Sequence, residues 1–224
     1  AVAIIVAVGA STFVQNRLWH DAVSLWQRAV YYSPNSWSTH YNLGLAYLNL
    51  KQNQAAVDEL VEANRLNPRQ PIVLNNLGLA HDAAGDTVGA IAILKEALQL
   101  DPTLIEAHNN LGTFLFERKQ FNDARMEFQE VLARDSSSVS ARFNLARTLA
   151  ALGEHEAAIR GFQALLAADP NDVAARYELA ASYAAMGRKP EAIAEYARAL
   201  QMDRELKRIE EMKSKLEGLK TPGK

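Results

Sequence analysis

The stretch Trp37–Gln70, WSTHYNLGLAYLNLKQNQAAVDELVEANRLNPRQ, is 34 residues long, and its pattern returns four more times without an insertion. Leucine followed by glycine or alanine recurs at the seventh and eighth positions, as Leu43-Gly44, Leu77-Gly78, Leu111-Gly112, Leu145-Ala146 and Leu179-Ala180. Alanine recurs at the twentieth position, as Ala56, Ala90, Ala124, Ala158 and Ala192. A large apolar residue follows four places later, as Leu60, Leu94, Phe128, Phe162 and Tyr196. A fixed period of this length decides the architecture, because each repeat is one structural unit.

Each repeat contains two segments in which the apolar residues lie at helical spacing. In the first repeat these residues are His40, Leu43, Gly44 and Tyr47, followed by Ala56, Leu60 and Ala63. Each segment predicts an amphipathic helix of about a dozen residues, which is too short to be stable alone. Glycine at the end of the first helix favours a left-handed cap, at Gly85, Gly153 and Gly187. Because stacked hairpins bury what one hairpin leaves exposed, the pattern predicts an all-α chain, an α-solenoid of antiparallel helix hairpins.

This repeat resembles the tetratricopeptide repeat (TPR) family, and the resemblance implies stacking into a right-handed superhelix. It covers Trp37 to Leu206 as five repeats, at residues 37–70, 71–104, 105–138, 139–172 and 173–206. Second helices are expected to end at proline, and Ser136 departs from this pattern. Counting back by one period places Ala22, Trp26 and Ala29 at second-helix positions, so residues 15–36 are predicted to form half a repeat.

The first fourteen residues, AVAIIVAVGASTFV, contain no charged side chain. They are fewer than the roughly 20 residues that a bilayer-spanning helix needs, so we interpret residues 1–14 as the end of a transmembrane span. The tryptophan and tyrosine residues that follow, beside Arg17, are typical of a membrane interface. The alternative is that this apolar segment is the buried first helix of an additional repeat.

The junction after this segment is similar to a second group of proteins. The string Asn16-Arg17-Leu18-Trp19-His20-Asp21, with Leu25-Trp26 and Ser33-Pro34-Asn35, resembles the junction in multi-pass membrane proteins with C-terminal TPRs, including the O-mannosyltransferase-like group. The resemblance implies a sugar-transfer domain upstream and a repeat domain outside the cytoplasm, in the periplasm or a lumen.

Residues 207–224 are predicted to form a C-terminal capping helix and a tail. The apolar spacing of this segment is that of an amphipathic helix, at Leu206, Ile209, Met212, Leu216 and Leu219. A terminal helix with a polar outer face is what a solenoid needs to cover its last apolar surface.

The composition offers little for catalysis or for nucleic acid. The formal net charge is −2, there is no basic tract, and the chain contains no cysteine. Nucleic-acid binding is therefore not expected, and thiol chemistry is excluded. His40 and His108 fall at core positions and are predicted to be packed residues, not metal ligands. No phosphate-binding loop or nucleophile motif is present, so we expect no active site, no metal and no cofactor in this chain.

The candidate binding surface is the face of each first helix that points away from the core. At about 100° per residue, positions 2, 6, 9 and 13 lie roughly opposite the core positions. The TPR resemblance implies that this face lines a concave groove for a polypeptide. The candidate groove residues are Asn42, Asn76, Asn110 and Asn144 at the sixth position, Leu45, Leu79 and Arg147 at the ninth, and Tyr41, Phe116 and Phe143 at the edges.

The four asparagines recur every 34 residues and end at Glu178. An asparagine side chain offers both a donor and an acceptor, so a row of them can hold an extended peptide backbone. The row resembles the asparagine ladder in the TPR superhelix of O-GlcNAc transferase. The alternative is structural, because asparagine is the commonest residue at this position in TPRs and can stabilise the helix stack. Chaperone-binding TPRs use several lysines and arginines on this face, whereas here Arg147 stands alone, so a chaperone carboxylate clamp is not expected.

Two functions are consistent with these features. The first is a membrane-tethered scaffold, not an enzyme, that binds a polypeptide segment in the groove of its repeats. The second is the C-terminal part of a multi-pass membrane glycosyltransferase, in which the repeats present the acceptor protein. The two hypotheses differ in what precedes Ala1, where several further apolar spans would favour the enzyme.

Overall fold

A computed structural model of the chain describes residues 21–202 and, in the C-terminal tail, residues 212, 214, 215, 217 and 218. All the regular secondary structure in these residues is helical. The predicted apolar helix at residues 1–14 and most of the predicted helix at 207–224 lie outside the described residues. Across the described part of the chain, no helix has the length and hydrophobicity needed to cross a bilayer.

The helices follow one another with short turns between them. The helical residues 21–32 are called α1 here. The next ten helices are α2 (Trp37–Asn49), α3 (Asn53–Leu66), α4 (Pro71–Ala83), α5 (Thr87–Leu100), α6 (Ile105–Glu117), α7 (Phe121–Arg134), α8 (Val139–Ala151), α9 (His155–Ala168), α10 (Val173–Ala185) and α11 (Lys189–Met202). First helices of 13 residues therefore alternate with second helices of 14 residues, as the repeat predicted.

The chain divides into two compact units, residues 1–111 and 112–224. In the first unit, α2 packs against α3, α3 against α4, and α4 against α5. In the second unit, consecutive helices from α7 to α11 pack against each other in the same way. Each unit is thus built from stacked helix hairpins, which confirms the predicted α-solenoid class.

Small residues at the eighth position allow the two helices of a hairpin to approach closely. A Cβ atom added to Gly44 would lie 2.7 Å from Cγ of Leu60, and one added to Gly112 would lie 2.8 Å from Cε1 of Phe128. The fourth repeat has Ala146 at this position, and there the second helix provides a glycine instead. A Cβ atom added to Gly161 would lie 2.9 Å from Cβ of Ala146.

The turn between the two helices of each hairpin contains one residue with left-handed backbone geometry. Three of these residues are the predicted glycines, Gly85, Gly153 and Gly187, with φ angles of 95°, 81° and 72°. The other two are Lys51 and Lys119, with φ angles of 58° and 60°. All five positions are 34 residues apart, so the backbone keeps the turn even where a side chain makes it unfavourable.

The fourth position of four repeats donates a hydrogen bond to a backbone carbonyl six residues earlier. Nε2 of His40 lies 3.0 Å from the carbonyl oxygen of Pro34, and Nε2 of His108 lies 3.0 Å from that of Pro102. Arginine replaces histidine in the last two repeats, where Arg142 donates to Ser136 at 2.6 Å and Arg176 to Pro170 at 2.5 Å. His40 and His108 are buried, as predicted for packed residues.

The last described apolar cluster includes one residue of the C-terminal tail. Met212 is helical and fully buried, and it shares a cluster with Ala180, Tyr196 and Ala199. The tail therefore covers part of the apolar surface at the end of the second unit.

Candidate binding face on the first helices

In the first unit, Tyr41 and Asn76 lie together on the predicted face. Nδ2 of Asn76 donates to the Tyr41 hydroxyl at 3.0 Å and to the carbonyl oxygen of Ile72 at 2.9 Å. Burial raises the pKa of the Tyr41 hydroxyl above its ordinary value, and the hydrogen bond from Asn76 lowers it by less. Leu45 and Leu79, the predicted apolar members of this face, are half-buried on the same two helices. The face therefore combines polar groups and partly exposed leucines.

The other two asparagines of the first unit are also tied to their own chain. Nδ2 of Asn42 donates to the carbonyl oxygen of Ser38 at 2.7 Å. Nδ2 of Asn110 donates to Oδ1 of Asn75, a buried side chain of the preceding repeat, at 2.9 Å. These contacts give the asparagine row a structural role in the first unit, and they leave the side-chain carbonyl as the group for a ligand donor.

In the second unit, the predicted residues Phe116, Asn144 and Arg147 line a cavity of about 90 Å³. The other lining residues are Thr113, Glu117 and Phe128. Thr113 and Glu117 occupy the ninth and thirteenth positions of the third repeat, on the face that the sequence predicted. Phe128 belongs to a second helix and was not predicted to take part; only its position behind Gly112 could have indicated it.

Arg147 is held between aromatic rings and a carboxylate. Its Cζ atom lies 4.8 Å from the centroid of the Phe116 ring and 5.8 Å from that of Phe143, within range of a cation–π interaction. Its Nε atom lies 3.3 Å from Oε1 of Glu178 in the next repeat. The guanidinium group is thereby fixed at the edge of the cavity. The sequence indicated the face that both charged residues occupy, but not that they pair.

A second cavity, of about 200 Å³, lies on the other side of Glu178. Its lining residues are Ala150, His155, Glu178, Ala181 and Ser182. Nδ1 of His155 is buried and has no hydrogen-bond partner among the described residues. Sequence reasoning did not select His155, because it begins a second helix and lies outside the positions assigned to the face. A polar atom in this condition is a good partner for a ligand group, since burying it unpaired costs free energy.

The described residues do not contain a group of three or more histidine, aspartate or glutamate side chains that could hold a metal ion. The functional features of the described surface are therefore its two cavities and the mixed polar and apolar face around them.

Comparison with known families gives a consistent result along the chain. Two sequence profiles described as tetratricopeptide repeat match it, one at residues 9–65, 54–105 and 145–205, the other at 83–128 and 115–167. Together these matches run without a gap from residue 9 to residue 205. No curated protein matches the chain in sequence.

Several solved structures share the fold at low sequence identity. MamA from Desulfovibrio magneticus RS-1, residues 41 to the end, is 20% identical, with a TM-score of 0.71 over 75% of this chain and 95% of that one. YrrB, described as a TPR protein with an unusual peptide-binding site, is 18% identical, with a TM-score of 0.72 over 86% of this chain and all of that one. A tetratricopeptide repeat protein from Parabacteroides merdae is 20% identical, with a TM-score of 0.76 over 93% and 83% of the two chains.

Proposed function

We propose that this chain, which belongs to the tetratricopeptide repeat family, is a membrane-tethered scaffold that binds an extended polypeptide segment on the outward face of its first helices. The observation that carries the proposal is the cavity in the second unit where Phe116, Asn144 and Arg147 meet. It combines an apolar wall with fixed hydrogen-bonding groups, which is the usual composition of a ligand site.

The chemistry of this cavity suits a peptide. The rings of Phe116 and Phe128 provide an apolar surface for a side chain, and Asn144 can both accept and donate a hydrogen bond to a peptide unit. The Nε atom of Arg147 faces Glu178, so its two terminal nitrogens can donate to ligand carbonyl oxygens. Because Phe116 and Phe143 already hold the guanidinium group, little side-chain entropy remains to be lost on binding.

Two cavities on one face indicate a ligand with more than one contact. The second cavity begins at Glu178 and continues to His155, whose buried Nδ1 can pair with a backbone N–H or C=O according to its tautomer. An extended segment that crosses both cavities would place separate side chains in each. This arrangement favours a polypeptide over a compact small molecule.

The tether in this proposal is the uncharged apolar segment at residues 1–14. In protein made with its natural upstream residues, this segment would hold the repeats at a membrane, on the side away from the cytoplasm. Such protein should remain in the membrane pellet after a carbonate wash. Recovery in the soluble fraction would contradict the tether without affecting peptide binding by the repeats.

Peptide binding can be tested with a phage-displayed library of random linear peptides. The dissociation constant of the best selected peptide would be measured for the wild-type chain, Asn144→Ala and Arg147→Met. Each substitution should weaken binding roughly tenfold, as expected for the loss of one well-placed hydrogen-bonding group. The matched control is Met126→Ala, which changes an exposed side chain of α7 outside the lining of both cavities.

Two results would refute the binding site. One is a selected peptide whose affinity is the same for Asn144→Ala, Arg147→Met and the wild type. The other is an equal loss of affinity in Met126→Ala, because the peptide would then bind another surface. Circular dichroism of each variant would establish that the helices are retained.

A further inference from the structure

The outward face of α1 has an unusual composition for a second helix. Leu25 is 61% exposed, Tyr31 is 80% exposed and Tyr32 is 74% exposed. At about 100° per residue, Leu25, Arg28 and Tyr32 fall within roughly 60° of one another on the helix, and Tyr31 flanks them. The rings of Tyr31 and Tyr32 meet edge to face, with their centroids 5.2 Å apart. One face of α1 therefore presents leucine, arginine and two tyrosines to the surroundings.

The inner face of α1 is already occupied. Val23 is buried in a cluster with Leu43 and Ala46, and Trp26 and Val30 pack against that cluster. Trp26 therefore faces its own unit, and the exposed aromatic residues of α1 are the two tyrosines. The outward face is accordingly not needed to hold the described part of α1 in place.

The complete repeats carry acidic residues where α1 does not. The position of Leu25 is occupied in other second helices by Glu59, Glu127 and Glu195. The position of Arg28 is occupied by Glu62, Glu96 and Glu130. Residues 22–32 contain no acidic side chain at all, and their one charge is Arg28. The difference at matched positions removes the negative charge that the other second helices present to water.

We propose that this face of α1, defined by Leu25, Arg28, Tyr31 and Tyr32, lies against the headgroup region of an anionic lipid bilayer. Tyrosine and leucine beside a basic residue are typical of helices at a membrane interface. Only six residues, 15–20, separate α1 from the apolar segment at 1–14, and six residues span at most about 20 Å. The proposal rests on the tether of the proposed function, because the tether is what keeps α1 close to the lipid.

The chain has no cysteine, so single cysteines can be labelled without a background. Leu25→Cys and Tyr32→Cys would each be labelled with the environment-sensitive dye NBD in the full chain. The matched control is Val88→Cys, because Val88 is an apolar residue of α5 in the same unit and is 63% exposed. The probes are vesicles of phosphatidylcholine with phosphatidylglycerol, with and without lipids brominated near the headgroup.

With these vesicles, the dye at positions 25 and 32 should shift to shorter wavelength and be quenched by the brominated lipid. The dye at position 88 should show neither effect. A companion variant, Arg28→Glu, should reduce the quenching at position 32, because an acidic residue is repelled by the anionic surface.

Flotation with the vesicles separates this proposal from the tether. If the chain floats but the dyes at 25 and 32 behave like the dye at 88, the α1 proposal fails and the tether stands. If the chain does not float, both fail. A blue shift without vesicles that grows with protein concentration would assign this face to a second copy of the chain. A vesicle-independent shift at all concentrations would assign it to residues 1–20 of the same chain, and either result overturns the lipid contact.

Discussion

The second hairpin, α4–α5, and the fifth, α10–α11, have the same helix lengths but fill one pair of positions with opposite chemistry. At the fourth and twenty-third positions the second repeat has Leu74 and Ile93, and the fifth has Arg176 and Glu195. Arg176 and Glu195 form an ion pair of 2.6 Å, with side chains only 12% and 13% exposed. Leu74 is buried as an ordinary apolar residue. The repeat therefore requires that this space be filled and paired, and it accepts either an apolar or an ionic pair.

The eighth position differs between the same two hairpins. A Cβ atom added to Gly78 would lie 3.0 Å from Cγ of Leu94, whereas the fifth repeat already has Ala180 packed in a cluster with Tyr196. The two hairpins thus place different pairs of small and large residues at one contact. The sum of the two side chains matters more than either identity, as expected where packing is close.

The largest effect should come from breaking the ion pair of the fifth hairpin. Arg176→Leu leaves Glu195 buried beside an apolar side chain, although Glu195 keeps its contact with Arg198. We expect a loss of about 3 kcal/mol in the free energy of unfolding, the lower end of the range for removing one partner of a buried pair. Urea unfolding followed by circular dichroism would measure it.

The double variant Arg176→Leu with Glu195→Ile transfers the chemistry of the second hairpin to the fifth. Most of the lost stability should return, because replacing a buried ion pair by packed apolar residues is often neutral. If the double variant is as unstable as Arg176→Leu alone, the two hairpins are not interchangeable and the comparison fails.

A smaller effect is expected at the eighth position. Gly78→Ala should destabilise the second hairpin by about 1–2 kcal/mol, because the new methyl group requires Leu94 to shift. Ala180→Gly should cost the fifth hairpin only about 0.5–1 kcal/mol, mainly through the added backbone freedom of glycine. Equal midpoints of urea unfolding for Gly78→Ala and the wild type would show that Leu94 moves at no cost.

The repeat could be derived from the sequence because its signal is redundant. Five copies of the small and large positions fix the period, and each copy checks the register of the others. The cavity was harder to predict, because it depends on side-chain direction. The asparagine row was visible at positions 42, 76, 110 and 144, but the hydrogen bonds of Asn42 and Asn76 to their own helix require rotamers that the sequence does not contain.

The left-handed turns show the same limit from the backbone side. Glycine at positions 85, 153 and 187 indicated the turn, whereas lysine at 51 and 119 gave no such indication. A lysine tolerates this geometry only because the rest of the hairpin stabilises it. Neighbouring repeats were the available signal, since the position is shared across all five.

The turns provide a third test of the comparison, now extended to the first hairpin. Gly85→Ala and Gly187→Ala should each lower the free energy of unfolding by about 1 kcal/mol, because a Cβ atom disfavours positive φ. Lys51→Gly should raise it by about 0.5 kcal/mol for the same reason, after the entropy of glycine in the unfolded chain is subtracted. A stabilising Gly85→Ala would mean that the turn is not left-handed in solution.

The smallest effect concerns pH and the start of α5. The Gly89 N–H bond, followed by the bond to His81, holds the pKa of Asp86 below its ordinary value. A folded pKa below the unfolded one contributes stability above the unfolded value, about 3.9, and that stability is lost as the pH falls through the folded pKa. The fifth repeat has Arg188 at this position and lacks this contribution.

Asp86→Asn keeps a capping oxygen and removes the charge, so it should flatten the decline of the melting temperature between about pH 5 and about pH 3. The matched control is Asp82→Asn, four residues earlier, whose pKa has no capping N–H to lower it through a helix start. A wild-type decline that Asp86→Asn leaves unchanged would place the pH dependence at other carboxylates, such as Asp135.

The hydrogen bond from the fourth position to the carbonyl six residues earlier has a consequence for local opening. It joins the first helix of a repeat to the turn that ends the preceding one, at Pro34, Pro102, Ser136 and Pro170. In the second repeat Leu74 has no polar group to donate, and the turn before it contains Arg69 in left-handed geometry. Amide hydrogen exchange should therefore be fastest, among these turns, in residues 67–70, and a protease should cut there first.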